Sequence, residues 1–124
     1  MMQAIAIAGG GAVGALMRFY AANGVYAWLG RGFPYGTLFV NITGSILMGF
    51  LYILFIDRLQ VSPEVRSALL VGVLGAFTTF STFSIETLNL VEDGEMTKAT
   101  LNILLSVSLC IIGAWLGVTA GRQL

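Results

Sequence analysis

The chain has 124 residues, of which 57% are hydrophobic and only 10% are charged, and its formal net charge is zero. A soluble domain of this size carries roughly a quarter charged residues, and its small core could not bury so large an apolar fraction. The sequence therefore indicates an integral membrane protein. The absence of histidine excludes imidazole chemistry, and the balanced charge argues against a nucleic-acid partner.

Four mainly apolar stretches reach the length of about 20 residues that a helix needs to cross a bilayer. They cover residues 2–29, 34–56, 65–91 and 97–122, with short polar connections between them. We expect one all-α membrane domain over residues 1–124, with the lipid bilayer as its solvent. No nucleophile stands beside a general base, so we expect neither an enzyme nor an organic cofactor.

The first span contains a small-residue motif and a charge. Gly10 and Gly14 form a GxxxG pattern, which lets helices in lipid approach closely. Arg18 lies well inside the apolar stretch, where a charge is costly. Two interpretations stay open: Arg18 pairs structurally or extends to the interface, or it is a fixed positive charge at a vestibule that attracts anions.

The second span carries a polar stripe at helical spacing that includes Thr37, Asn41 and Ser45. Asn41 is its costliest member, because both the donors and the acceptor of the amide must be satisfied. It either bonds to a neighbouring helix or offers a donor to a polar path.

The third span holds the run FTTFSTF at residues 77–83, followed by Glu86. Its β-branched threonines and Gly75 weaken the helix, so we predict a break near residues 75–80, at mid-membrane. A break frees carbonyls and amides that lipid cannot satisfy, and half-helix ends of this kind are typical of ion sites. The alternative is an unbroken helix whose hydroxyls bond back to its own carbonyls.

The side chains of this run suit an anion. Phe80 and Phe83 are three positions apart and share a helix face, and the edge of an aromatic ring is electropositive. Serine and threonine hydroxyls add donors without a formal charge. Conduction requires such weak binding at several sites.

The fourth span places Asn102, Ser106 and Cys110 on one face, continued by small residues at Gly113 and Gly117. This face either lines a narrow track or packs closely against a neighbour, and both interpretations stay open. Cys110 itself, the single cysteine, is interpreted as a small buried hydrophobic side chain.

The charges in the loops give almost no signal for orientation. Arg58, Arg66 and Arg122 lie on the side of the termini, against Arg31 and Lys98 on the other side. Copies could therefore insert both ways and pair antiparallel, unless features outside this count fix one orientation.

Three motifs stand in the first three spans: GGGAVGALMRF at 9–19, GTLFVNITG at 36–44 and GVLGAFTTFSTFSIE at 72–86. Together with the length and the four-span layout they resemble the small bacterial fluoride channels, the CrcB family, and the third motif is highly specific. The resemblance covers nearly the whole chain. It implies passive fluoride export across the bacterial inner membrane by a dual-topology, antiparallel homodimer with two pores.

The resemblance also implies roles by motif position. Phe80 would face the pore of one subunit and Phe83 that of the other. The fluoride pore would comprise Asn41, Phe80, Phe83, Ser81 and Thr82.

Further residues would support this pore. Thr37 and Glu86 would form a polar track beside it, with Ser106 on the fourth span. Backbone carbonyls of Gly75 and Thr78 would hold a structural sodium ion at the dimer centre. The fourth span departs from the family pattern of a tyrosine and several hydroxyls, so its track is less continuous here.

Proton-coupled exporters are the competing class. Small four-span multidrug exporters also insert both ways, but they need a titratable carboxylate in the first span, where this chain has Arg18. A proton-coupled fluoride exporter stays open, with Glu86 as its natural proton carrier. A structural four-span subunit would give no reason for the polar-aromatic run.

Overall fold

The computed structural model describes residues 1–124 and is entirely helical. Four helical stretches are long and apolar enough to cross a membrane, and the third of them, Pro63–Glu92, is built from several pieces. In chain order the elements are α1 (Met2–Leu29), α2 (Tyr35–Asp57), α3 (Pro63–Ser67), a π-helical segment (Ala68–Leu74), α4 (Gly75–Phe77), α5 (Phe80–Glu92) and α6 (Met96–Arg122).

The start of the third stretch follows ordinary capping chemistry. The Ser62 side chain accepts a hydrogen bond from the Val65 amide, and Pro63 occupies the first turn, where its missing amide hydrogen costs nothing. Both features fix the start of this helix.

Glycines set the close approach of the first and third stretches. A Cβ atom on Gly10 would overlap the carbonyl of Ala68, and one on Gly14 would overlap the carbonyl of Val73. Small residues let helix backbones meet in this way, and the GxxxG pattern of α1 is used as the sequence predicts.

The second close pair is α2 with α6. A Cβ on Gly49 would overlap the carbonyl of Ala114, and one on Gly117 would overlap the carbonyl of Ile46. The small residues of the fourth span, whose role the sequence leaves open, therefore pack closely against α2 from Gly113 onward.

The π-helical segment was not predicted. Its seven residues, Ala68–Leu74, lie against α1. Segments of this kind are rare and appear mostly as short insertions near functional sites. Here the segment is separated from the interruption of the third stretch only by the short α4.

That interruption consists of Thr78 and Thr79, which are both extended. Their backbone angles are φ −87°, ψ 159° and φ −153°, ψ 117°. They lie inside the range where the sequence predicts a break. The first half of the stretch ends at Phe77 and the second half, α5, begins at Phe80.

Candidate functional site

The interrupted helix is bordered by two cavities. The larger, about 450 Å³, lies between α2, the start of α5 and α6, and we call it the aromatic cavity. The smaller, about 210 Å³, lies between α1, α2 and α5, and we call it the arginine cavity. Thr79 lines both of them, so the break is the wall they share.

Asn41 fixes the backbone of the break. Its Nδ2 donates to the carbonyl of Thr79 at 3.0 Å, and its Oδ1 accepts from the amide of Thr79 at 2.7 Å. This reciprocal pair satisfies two groups that the interrupted helix leaves without partners. The bond to a neighbouring element is therefore present. Asn41 also lines the aromatic cavity, and its role as a donor to a polar path stays a prediction.

Thr79 in turn starts the second half-helix. Its Oγ1 accepts from the amide of Thr82 at 3.2 Å, which is an N-cap of α5, and donates to the Thr82 hydroxyl at 3.0 Å. The Ser81 hydroxyl lies 3.3 Å from the same oxygen. The hydroxyls of Ser81 and Thr82, which the resemblance assigns to the ion path, therefore both contact the cap of α5.

Arg18 holds the other side of the break. Its Nε donates to the carbonyl of Ala76 at 2.9 Å, within the last turn before the interruption. The guanidinium also lines the arginine cavity, together with Arg31. Of the two interpretations from sequence, the structural pair is present, and the partner is a freed carbonyl and not a carboxylate.

The phenylalanine pair lies at the mouth of the aromatic cavity. The ring centroids of Phe80 and Phe83 are 5.3 Å apart with the planes tilted by 43°. Phe80 is 77% exposed in a single chain, although it sits beside the break. Both rings line the same cavity, together with Asn41 and Ser106, and no charged side chain contributes to its wall.

Glu86 and Thr37 are joined by a residue that sequence reasoning missed. The Tyr26 hydroxyl donates to Glu86 Oε2 at 2.9 Å and lies 3.4 Å from Thr37 Oγ1. The Arg31 guanidinium stacks 4.4 Å from the centre of the Tyr26 ring. A tyrosine near the end of a span is a common interfacial residue, which was the only signal that could have pointed to it.

The second carboxylate oxygen of Glu86 accepts no hydrogen bond. Oε1 is buried and has no hydrogen-bond partner in the protein. Since Glu86 also lines the arginine cavity, this oxygen lies near space that is large enough for water.

The face of the fourth span divides into two parts. Ser106 and Cys110 line the aromatic cavity, whereas Asn102 is 2% exposed and lies outside it. Asn102 is instead bonded to the hydroxyl of Thr87 on α5. Ser106 thus lies apart from Thr37 and Glu86, with which the sequence grouped it.

The backbone beside the break offers a free acceptor. No hydrogen bond reaches the carbonyl oxygen of Thr78, because the residue belongs to neither half-helix. Gly75, three positions earlier, is exposed in the single chain. These two residues could present oxygens to a hard cation.

The predicted pore residues are therefore separated by the fold. Asn41, Phe80 and Phe83 meet in the aromatic cavity, and Thr82 lies in the arginine cavity with Thr37, Glu86 and Arg18. Ser81 is exposed and lines neither cavity.

Comparison with known proteins identifies several similar proteins. A protein of Methylococcus capsulatus named fluoride-specific ion channel FluC is 57% identical over 123 residues, which is 99% of this chain and 54% of the relative. Proteins of the same name from Magnetococcus marinus and Geobacter sulfurreducens are 55% and 51% identical, over 98% and 100% of both chains. The chain thus spans about half the length of the first relative and essentially the full length of the other two.

A family model described as CrcB-like protein, Camphor Resistance (CrcB), matches residues 5–118. This match includes most or all of each of the four helical stretches that could cross a membrane. The chain is a multi-pass membrane protein, and it belongs to the CrcB-like family.

Proposed function

We propose that this chain forms a passive, fluoride-selective channel of the bacterial inner membrane, which lowers cytoplasmic fluoride. The observation that carries the proposal is the aromatic cavity, where Asn41, Phe80, Phe83 and Ser106 meet at a broken helix. The names of the relatives support the choice of ion.

The chemistry of the cavity wall suits a small anion. The N-terminal end of α5 carries the positive end of the helix dipole, and it begins at Phe80 beside the cavity. The ring edges of Phe80 and Phe83 add weak, uncharged partners. An anion would be stabilised without being trapped, as conduction requires.

We propose further that two copies pair antiparallel and give two pores, with the break at mid-membrane. A single chain leaves Phe80 77% exposed beside a cavity with an open side, which a second copy would cover. The nearly balanced loop charges allow both orientations.

The antiparallel arrangement is tested by labelling from each side of the membrane. In a chain whose native Cys110 is replaced by alanine, Glu95→Cys sits in the exposed connection before α6. We expect a membrane-impermeant thiol reagent to label about half of the copies from either side of sealed vesicles. Labelling confined to one side would contradict dual topology.

We propose a sodium ion at the dimer centre as a structural cofactor, held by backbone carbonyls of Gly75 and Thr78 from both copies. The free carbonyl of Thr78 and the exposed position of Gly75 fit such a site. A hard monovalent cation prefers oxygen ligands, and its charge would be offset by carbonyl dipoles at the end of α4. Its contribution would be to join the two broken helices.

Ion flux from proteoliposomes tests the proposed activity. We expect rapid efflux of fluoride and little efflux of chloride, and slower fluoride efflux when a large organic cation replaces sodium on both sides. Phe83→Leu should slow fluoride, because it removes a ring edge from the cavity, whereas Phe39→Leu, on the exposed surface of α2, should not. Equal flux of chloride and fluoride would contradict the proposal.

A further inference from the structure

The second half-helix, α5, is anchored at few points. Thr87 is its only buried residue, at 9% exposure, and the remaining side chains are half-buried or exposed. A helix with so little apolar burial depends on polar contacts for its position. Phe83, which lines the aromatic cavity, lies one turn before Thr87 on the same helix.

Asn102 supplies such a contact from α6. Its Nδ2 donates to the Thr87 hydroxyl at 2.9 Å, and its Oδ1 accepts from the Ser106 hydroxyl at 3.4 Å. The Thr87 hydroxyl donates onward to the carbonyl of Phe83 at 2.7 Å. A continuous chain of hydrogen bonds therefore runs from Ser106 through Asn102 and Thr87 to Phe83.

Both ends of this chain belong to the aromatic cavity, and its middle lies behind the wall. Ser106 and Phe83 line the cavity from α6 and α5, whereas Asn102 and Thr87 do not. At 2% exposure, and with both ends of its amide engaged, Asn102 has no group directed at an ion. Buried polar chains of this kind fix one geometry when every member is satisfied.

We propose that Asn102 is a positioning residue that acts through Thr87, setting the placement of Phe83 against Ser106 across the aromatic cavity. The inference rests on the proposed channel function, in which Phe83 and Ser106 both line the path of the anion and Phe83 turns a ring edge towards it. Asn102 itself contacts no ion. It determines how far apart the aromatic edge and the hydroxyl stand.

A matched pair at Thr87 separates the hydroxyl from the packing. Thr87→Val keeps the shape and removes both hydrogen bonds, and Thr87→Ser keeps the hydroxyl. We expect fluoride flux to fall about fivefold in Thr87→Val, because the loss of one net hydrogen bond corresponds to a change of about this size. In Thr87→Ser, which keeps the hydroxyl, we expect flux within about twofold of the parent.

The coupling is measured with Asn102→Leu. We expect this variant to match Thr87→Val, and the double variant to match either single one, because all three remove the same link. Losses that multiply in the double variant would overturn the proposal. So would normal flux in Thr87→Val beside a loss in Asn102→Leu, which is the result that direct ion contact by Asn102 would give.

A spectroscopic measurement makes the test independent of transport and of folding yield. With 4-fluorophenylalanine placed at position 83, we expect the fluorine resonance to shift or broaden in Thr87→Val and Asn102→Leu and to stay in place in Thr87→Ser. An unchanged resonance in all three would overturn the proposal. If the parent protein does not transport fluoride, the proposed function is wrong. The fluorine resonance at position 83 then tests the positioning role of Asn102 by itself.

Discussion

Asn41→Asp is expected to lower fluoride flux by about a hundredfold, because the substitution breaks the reciprocal pair that holds the helix interruption. The aspartate could still accept from the Thr79 amide, which Asn41 Oδ1 binds at 2.7 Å. Its second oxygen would replace the donor that bonds to the Thr79 carbonyl at 3.0 Å. Two acceptors would then face each other, one of them charged, in a region without bulk water.

The added charge works against transport as well. Asn41 lines the aromatic cavity, whose wall has no charged side chain, so an aspartate there would repel the anion. Thr43→Val is the matched control, since the Thr43 hydroxyl bonds only to carbonyls of its own helix. If the flux of Asn41→Asp stayed within about twofold of the parent, transport would depend neither on the bonds between Asn41 and Thr79 nor on Asn41 as a lining residue of the anion path.

Arg18→Met is expected to lower fluoride flux at least about tenfold, because it leaves the Ala76 carbonyl without its charged donor. The bond from Arg18 Nε to this carbonyl is 2.9 Å long and ties α1 to the end of the first half-helix. Methionine fills a similar volume without a polar group, so the loss would come from the bond and the charge. Flux measured at several salt concentrations separates these two causes.

An anchoring role and an attracting role differ in three readouts. An anchor predicts a loss that is independent of salt, poor rescue by Arg18→Lys, and little effect of Arg31→Met, which removes the same charge from the same cavity. Attraction of anions predicts a loss of flux that shrinks as the salt concentration rises. It also predicts that Arg18→Lys restores the flux and that Arg31→Met lowers it as Arg18→Met does. We expect the first pattern, and the second would show that Arg18 serves as a vestibule charge.

The sequence predicts the parts of this fold that follow from local chemistry. Apolar length predicts the four long stretches, the Gly10 and Gly14 spacing predicts close packing of α1, and FTTFSTF marks the place of the interruption. In each case the cause lies within a few residues of the effect. The π-helical segment gave no such local signal and was missed.

Partners between distant helices could not be predicted in this way. Tyr26 and Glu86 are 60 positions apart, and Arg18 and Ala76 are 58 apart. Helical spacing shows which residues share a face, but the rotation of each helix against its neighbours decides what that face meets. Asn102 illustrates this, because it shares a face with Ser106 yet lies behind the cavity wall that Ser106 lines.

Glu86 is the residue on which the competing mechanism depends. Its Oε2 is held by Tyr26, and its Oε1 is buried without a partner beside the arginine cavity. A proton-coupled exporter would use such a carboxylate as its proton carrier. A passive channel would need it only to hold Tyr26 and, through that residue, Thr37.

The most direct measurement is fluoride efflux from potassium-loaded proteoliposomes, with valinomycin and a pH gradient varied independently. Passive conduction predicts that efflux begins only when valinomycin lets potassium balance the charge, and that a pH gradient changes nothing. Efflux without valinomycin that follows the pH gradient would contradict the account and would identify a proton-coupled fluoride exporter.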